Sequence, residues 1–409
     1  MNFDKNKIVK YVVIGVMAIA VLSVVFFAGR NSVKVNVCKP EAVDFSLFWD
    51  AYNKLHQSFI NPEKIDDQEV MYGAIFGMTR SLGDPYTDFF NPDQARAFQQ
   101  DLAGSFDGIG VEVAIKKDQL MVVAPLKGTP GEKAGLKSGD LILNINGKST
   151  SDMSTEEAVR LIRGKKGTVV TLTIFRQGWT QSKDISIVRD TIKVDSMNWE
   201  LKNPSTDSTG SLQAGSGQVA YISIHQFDQS LPADFRQAAS EILRSPAKKI
   251  IVDLRNNPGG YLEVSQEIAG WFLKSGQTVT IEDYGKAKSQ DVYKADGNGA
   301  FVSYPVVVLI NKGSASASEI LAGALRDNRN VKLIGGQSFG KGSVQEVVPL
   351  SDGKSLLKVT IAHWLTPKGT SISEVGLMPD VKVEMSDEDA EAQKDPQLTK
   401  ALEIIGGIK

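Results

Sequence analysis

Cysteine and histidine are scarce in this chain of 409 residues. The single cysteine, Cys38, excludes an intrachain disulfide and a site built from several thiolates. The three histidines, His56, His225 and His363, lie far apart in the sequence. Metal catalysis therefore has little support, and we expect neither a metal ion nor another cofactor.

A surplus of positive charge is also missing, because 46 Lys and Arg residues stand against 48 Asp and Glu residues. The chain lacks the positive field that gathers nucleic acid, so no nucleic-acid partner is expected. Apolar residues make up 42% and charged residues 23%, which excludes a disordered or multi-span membrane chain. At about 150 residues per domain, the length predicts roughly two to three globular domains.

One long hydrophobic run does occur, at residues 11–29 (YVVIGVMAIAVLSVVFFAG). At about 1.5 Å per residue, a helix of this length is close to the roughly 30 Å needed to cross a bilayer. Lys5, Lys7 and Lys10 precede it, which predicts a cytoplasmic amino end and an extracytoplasmic remainder. A cleaved signal peptide is the alternative, but FFAGRNS is a weak match to a cleavage site.

The rest of the chain changes character along its length. Apolar residues three to four positions apart predict helices in residues 41–100, and short strand-like runs between glycine-rich turns follow in 101–190. Strands and helices then alternate through 191–385, which predicts an α/β fold with a mainly parallel sheet covered by helices. Polar residues 201–217 predict an exposed hairpin or loop. The tail 386–409 is charged and then weakly helical, and packs either on the core or on a second subunit.

Three unusual loops follow strands of the alternating region: DLRNNPGG, NKGSASASE and GGQSFGKGSVQ. In the second loop, Ser316 stands where a helix begins, and free N–H groups there can stabilise the anion formed when a serine attacks a carbonyl. Ser316 and Glu319 also form an S-x-x-E capping box, so simple helix capping is the alternative. A nucleophilic serine needs a base, and lysine is the remaining option because no histidine has the context of a triad partner.

Lys341 in the third loop could be that base if burial lowers its pKa from about 10.4 toward about 7 to 8. Gln345 could orient the amine in a helical turn, whereas in an extended segment the two residues lie about 13 Å apart. A phosphate loop is disfavoured, because Gly342 stands where Ser or Thr would bind magnesium. In the first loop, paired glycines allow either a tight turn or close approach of a substrate.

Taken together, the order of GIGVEV, AGLKSGDLILNINGK, RNNPGG, NKGSASASE and SFGKGSVQ closely resembles the carboxyl-terminal processing, or tail-specific, proteases. The resemblance covers about residues 42–385 and implies a PDZ domain at 101–190 and a ClpP/crotonase-like serine-protease core at 191–385. It implies that Ser316 is the nucleophile, Lys341 the general base and Gln345 the partner of the lysine. It also implies an oxyanion hole made by the backbone N–H groups of Gly259 or Gly260 and of Ala317.

In the PDZ-like segment, glycines would free backbone N–H groups for a terminal carboxylate, and an edge strand would pair with an extended peptide. The predicted peptide-binding residues are Gly108, Ile109, Gly110, Val111, Val113, Leu161 and Ile162, with core packing as the alternative for the two on the helix. Arg163 ends that helix, and the resemblance implies that it contacts the catalytic side when peptide is bound. Complementing the helix dipole is its alternative role.

These expectations combine into a bacterial, single-pass membrane serine endopeptidase that acts outside the cytoplasm on proteins or peptides with accessible C-termini. The competing hypotheses are a membrane-tethered PDZ scaffold without activity and an acyl-CoA enzyme on the related crotonase fold. The anchor and the PDZ-like segment disfavour the second of these. Helices at both ends of the chain also predict self-association. The domain boundaries expected from the sequence are 1–40 for tip, anchor and linker, 41–100, 101–190, 191–385 and 386–409.

Overall fold

The computed structural model describes residues 43–116, 119–203, 218–286, 288–386, 388, 389, 392 and 394–408. The predicted anchor at 11–29, Cys38 and most of the predicted loop at 201–217 lie outside these residues. Within the described ranges, no helix combines the length and the apolar character needed to cross a membrane. The chain divides into two compact units, Met1–Met71 and Tyr72–Lys409.

The described part of the first unit is helical, as its apolar spacing predicts. Helix α1 spans Ser46–Ser58, a 3-10 turn spans Pro62–Lys64, and helix α2 spans Asp67–Arg80, so that α2 contains the boundary between the units. No residue of α1 is buried. Leu47 is 75% exposed and Trp49 57% exposed, so the apolar side chains of α1 remain uncovered.

The PDZ segment and the elements before it form the first part of the second unit. Their bounds are β1 Asp88–Phe90, α3 Pro92–Leu102, β2 Ser105–Gly108, β3 Val111–Lys116, β4 Gln119–Pro125, α4 Pro130–Lys133, β5 Leu141–Ile145, β6 Lys148–Ser149, α5 Thr155–Ile162, β7 Val169–Phe175, β8 Lys183–Val188 and β9 Asp190–Lys193. The sheet order is β3-β4-β5-β7-β8, and β2 pairs with β9. Strand β7 buries Val170, Leu172 and Ile174 in strict alternation, as a sheet with one covered face requires.

The remaining part of the chain follows the predicted alternation of strands and helices. Its bounds are β10 Met197–Lys202, β11 Val219–Ile224, α6 Leu231–Arg244, β12 Lys249–Asp253, α7 Leu262–Phe272, β13 Thr278–Asp283, β14 Asp291–Lys294, β15 Val306–Ile310, α8 Ala317–Arg329, β16 Lys332–Gly335, β17 Ser343–Pro349, β18 Leu356–Leu365, β19 Val381–Lys382 and α9 Pro396–Gly407. A six-stranded sheet runs in the order β10-β11-β12-β15-β16-β19 and is parallel except for the β10–β11 pair. The prediction of a mainly parallel sheet is confirmed.

Both faces of this sheet are covered, and every residue of β15 is therefore buried. Alternate residues of β15 belong to two separate clusters, Val308 with helices α6 to α8 and Val307 with α9. In α9, Ala401 and Ile405 are buried against the sheet. Of the two possibilities left open for the tail, α9 packs on the core of its own chain.

A buried ion pair holds the start of α9. Arg255 donates to both carboxylate oxygens of Asp395, at 2.9 and 2.8 Å, and to those of Asp253. Asp395 also accepts from the Leu398 amide at 2.8 Å and so caps α9. Asp253 ends strand β12, so the guanidinium joins that strand end to the C-terminal helix.

A second sheet of the core has no counterpart in the sequence-based prediction apart from the extended segment at β17. Its order is β1-β18-β13-β14, and β17 also pairs with β18. All of these pairs are antiparallel. The pairing of β1 with β18 joins residues 88–90 to residues 356–358. Segments so far apart in the sequence share no local pattern that would predict their pairing.

Candidate active site

Ser316 lies in the turn between β15 and α8, at the cap position of α8. Its φ of 56° and ψ of −117° are unusual for a residue with a side chain and place backbone strain at this point. Its amide donates to Glu319 Oε2 at 2.9 Å, the return bond of the predicted capping box. Ala317 begins the helix, so its N–H group has no intrahelical acceptor. The hydroxyl therefore stands at the positive end of a helix, beside an amide that finds no acceptor in the described part of the chain.

The glycine loop passes directly against this serine. Gly259 has a φ of +102°, and a Cβ added there would lie 2.7 Å from Ser316 Cβ. The Gly259 amide donates to Asn257 Oδ1 at 2.9 Å. The Gly260 amide, in contrast, donates to no acceptor among the described residues. Of the two glycines considered for the oxyanion hole, Gly260 is the one with an available N–H group.

Asn257 joins the two loops and is fully buried. Its side-chain amide donates to the main-chain carbonyl of Ile224 at 2.8 Å. Its main-chain carbonyl accepts from Ala315 N and from Ser318 Oγ, both at 3.0 Å. Sequence reasoning missed this residue. An asparagine in the loop after a buried strand, directly before Pro-Gly-Gly, was the available signal, because Asn side chains commonly hydrogen-bond nearby backbone groups.

Lys341 lies in the loop before β17. Burial lowers the pKa of its ammonium group, the positive charge of Lys358 acts in the same direction, and Glu319 opposes both. A lowered pKa is the direction that a lysine base needs. Its Nζ lies 5.7 Å from the ring centroid of Tyr86. Within the described part of the chain, Nζ forms no direct hydrogen bond with the Ser316 hydroxyl.

A cleft of about 520 Å³ opens beside these groups. It is lined by Tyr86, Asn256, Pro258, Lys312, Gly313, Ala315, Phe339 and Lys341. From the sequence, GDPYTDFFNPD indicates only a helix stop and a loop, so the place of Tyr86 beside the lysine was missed. Nothing local in GDPYT signals it, because the contact depends on the long-range pairing of β1 with β18.

Gln345 lies on β17, opposite Thr360 of β18. The segment is extended, so the helical-turn alternative for Lys341 and Gln345 is wrong. Its side-chain amide donates to Ser343 Oγ at 2.7 Å, and it makes no hydrogen bond to Lys341 within the described chain. Its role as the partner of the lysine stays a prediction.

A second cleft, of about 230 Å³, lies between β3 and α5 of the PDZ segment. It is lined by Phe106, Gly108, Ile109, Gly110, Val111, Glu112, Val113, Val159, Ile162 and Arg163. Leu161 does not line this cleft and packs against the PDZ core instead. Val159 was missed, although its spacing of three from Ile162 puts both on one face of α5.

Arg163 follows α5 and contacts residues just before the PDZ sheet. Its guanidinium donates to Asp101 Oδ1 at 3.0 Å and lies 4.5 Å from the ring centroid of Phe106. Its predicted contact with the catalytic side stays a prediction. For metal binding, the described ranges contain no group of three or more His, Cys, Asp or Glu side chains able to hold an ion.

Comparison with known proteins gives a consistent result. Residues 218–383 match the family model for peptidase family S41, and residues 121–176 match that for a PDZ domain. A carboxy-terminal processing protease, CtpA of Bacillus subtilis (strain 168), is 38% identical over 379 residues, covering 92% of this chain and 77% of the relative. A probable CtpA-like serine protease of Staphylococcus aureus (strain MSSA476) is 35% identical over 374 residues, covering 91% and 72%.

Among solved structures, the photosystem II D1 C-terminal processing protease superposes with a TM-score of 0.53 at 31% identity, covering 84% of this chain and 89% of that one. The chain belongs to the C-terminal processing proteases of peptidase family S41. It is a serine-type protease that carries a PDZ domain beside a mixed α/β core. The resemblance identified from the sequence motifs is confirmed.

Proposed function

We propose that this chain is a membrane-anchored serine endopeptidase that captures the C-terminus of a substrate in its PDZ cleft and cleaves with a Ser316/Lys341 dyad. The main support is the setting of Ser316: a strained turn at a helix start, beside the amides of Ala317 and Gly260, which find no acceptor among the described residues. The lowered pKa of Lys341 in the adjoining loop adds to it.

In the proposed reaction, neutral Lys341 accepts the proton of the Ser316 hydroxyl as Oγ attacks the carbonyl carbon of the scissile bond. The resulting oxyanion accepts hydrogen bonds from the amides of Ala317 and Gly260. Collapse breaks the C–N bond, and the lysine ammonium gives its proton to the leaving amine. Water, deprotonated by the same lysine, then hydrolyses the acyl-enzyme and restores the serine.

Substrate recognition is proposed for the PDZ cleft. Among the described strands, β3 lies at the edge of its sheet and pairs with β4 alone, so its other edge is available to an extended peptide. The amides of Ile109 and Gly110 have no acceptor among the described residues and would receive the terminal carboxylate. Val159 and Ile162 line the cleft, which favours a substrate with an apolar last residue.

Anchoring and assembly are further parts of the proposal. The run at 11–29 and the lysines before it support a single membrane span with the protease outside the cytoplasm of a bacterium. The uncovered apolar side chains of α1 support self-association of the chain. Sedimentation of the detergent-solubilised protein would distinguish a monomer from an oligomer.

The decisive experiment uses the full chain in detergent and a model protein that ends in apolar residues. Wild type is compared with Ser316→Ala and Lys341→Ala, on this substrate and on the same protein amidated at its C-terminus. We expect cleavage by wild type alone, weakened by amidation, and labelling of Ser316 by a fluorophosphonate. Full activity of Lys341→Ala would refute the dyad, and equal cleavage of the amidated substrate would refute carboxylate capture.

A further inference from the structure

Glu319 is a carboxylate in the first turn of α8 that is only 1% exposed. A buried charge is costly unless hydrogen bonds replace the lost water. Four do so here: Oε1 accepts from Ser338 Oγ at 2.6 Å and from Gly340 N at 2.8 Å. Oε2 accepts from Ser316 N at 2.9 Å and from Lys341 N at 3.0 Å.

These donors define the charge state of Glu319. Ser338 Oγ accepts from the Leu377 amide at 2.6 Å, so its own proton points to Glu319. Each carboxylate oxygen then receives two donors, which leaves no position for an acidic proton. Burial outweighs these donors and raises the pKa of Glu319 above its ordinary value. The four donors and the dipole at the start of α8 favour the anion.

The donors come from two separate loops. Ser316 belongs to the turn after β15, whereas Ser338, Gly340 and Lys341 belong to the loop before β17. One oxygen, Oε2, thus bonds the backbone of the proposed nucleophile and that of the proposed base. Because one oxygen accepts from both backbones, it fixes the separation of the two residues without contacting either of their side chains.

We propose that Glu319 is a positioning residue whose Oε2 holds the backbones of Ser316 and Lys341 at a fixed separation. Its negative charge sets the pH range in which Lys341 acts. The inference rests on the proposed dyad chemistry. It gives the S-x-x-E pattern a second task, since the carboxylate that caps α8 also anchors the loop of the base.

The effect of the charge follows from the groups around the Lys341 amine, which shares its cleft with Lys312 of the turn after β15. Glu319 acts from α8, Lys358 from β18, and the aromatic ring of Tyr86 from the loop before β1. Glu319 raises the pKa of Lys341, and Lys358 lowers it. Removing the negative charge therefore lowers the lysine pKa further and moves the acidic limb of the pH–rate profile to lower pH. A merely loosened site would admit water and move that limb upward.

Two variants separate geometry from charge. Glu319→Gln keeps the shape but replaces one acceptor by a donor, so two of the four bonds are lost and the charge disappears. Glu319→Asp keeps the charge on a side chain one methylene shorter. We expect both to lose about 100-fold in kcat/KM, because a displacement of about 1 Å costs that much. Only Glu319→Gln should shift the acidic limb downward.

The measurements are kcat/KM and the rate of fluorophosphonate labelling of Ser316, both across pH, on the full chain in detergent. Glu346→Gln is the matched control, because Glu346 is an exposed carboxylate on β17, and it should change neither the rate nor the limb. Thermal unfolding and peptide binding by the PDZ cleft report whether each variant is folded. If Glu319→Gln does not fold, Ser338→Ala removes a single donor and should cost about 3- to 10-fold, the effect of one hydrogen bond.

The outcomes distinguish this inference from the proposed function. An inactive, unlabelled wild type refutes the proposed chemistry itself. An active wild type with a Glu319→Gln variant of equal rate refutes the positioning role. Loss of rate in Glu319→Gln with an unchanged or raised acidic limb contradicts the role of the charge.

Discussion

Replacing Gly259 by alanine tests how closely the glycine loop approaches Ser316, the proposed nucleophile. The new Cβ would lie 2.7 Å from both Ser316 Cβ and Ala315 O, whereas ordinary contacts begin at 3.4 Å. The loop must therefore move by about 0.7 Å. A shift of this size at reacting groups costs about 100-fold in rate. The φ of +102° adds about 1 to 3 kcal/mol of backbone strain.

Strain and displacement can be separated with a matched control. Gly276 has a φ of +87° but no heavy atom within 4 Å of an added Cβ, so Gly276→Ala introduces strain without a clash. We expect both variants to unfold at lower temperature and only Gly259→Ala to lose about 100-fold in kcat/KM and in the labelling rate of Ser316. Equal activity of the two variants would refute the claim that the loop and the serine are in contact.

Three further predictions concern other parts of the chain. Lys341→Met should lose about 10⁴-fold in kcat/KM. It should also unfold at a higher temperature than wild type at pH 7, because the pKa of Lys341 is lowered on folding and the lysine therefore destabilises the protein below its unfolded pKa. This gain in unfolding temperature should vanish above about pH 10.4. Asp395→Asn should lower the free energy of unfolding by about 2 kcal/mol in denaturant at pH 7. Burial acts to raise the pKa of Asp395, but the hydrogen bonds from Arg255 outweigh it and the pKa is lowered. The carboxylate therefore stabilises the fold above its unfolded pKa of about 3.9, and the difference in unfolding free energy between variant and wild type should disappear as the pH falls below that value. Val159→Asp should weaken binding of an apolar C-terminal peptide about 10-fold or more in fluorescence anisotropy without slowing labelling of Ser316, whereas Val169→Asp, on an exposed position of β7, should change neither.

The parallel sheet was predictable because its signals are local. A strand such as β15, VVVLI, is apolar throughout since both faces are covered. The helices between the strands show their own apolar spacing. The second sheet escaped prediction because its pairs join distant segments, and no sequence rule connects residues 88–90 with 356–358.

The site divides in the same way. Ser316 and Lys341 lie in short motifs that are recognisable in the sequence. Such motifs do not reveal what the residues around them contact. Helix capping and catalysis were weighed as alternatives for Ser316 and Glu319, although one carboxylate can serve both. On the PDZ helix, Leu161 was predicted for the cleft and Val159 was not, because composition does not tell which apolar face of a short helix meets the core.

The division of the core into two sheets has a consequence for the maturation of the protein. The loop of Ser316 follows a strand of the parallel sheet, whereas the loop of Lys341 leads into the antiparallel one. The antiparallel sheet is complete only when β1 meets β18, a pairing across most of the chain, and such distant pairings form slowly. If Ser316 and Lys341 form the proposed dyad, a chain whose two sheets have not yet packed together has no assembled centre.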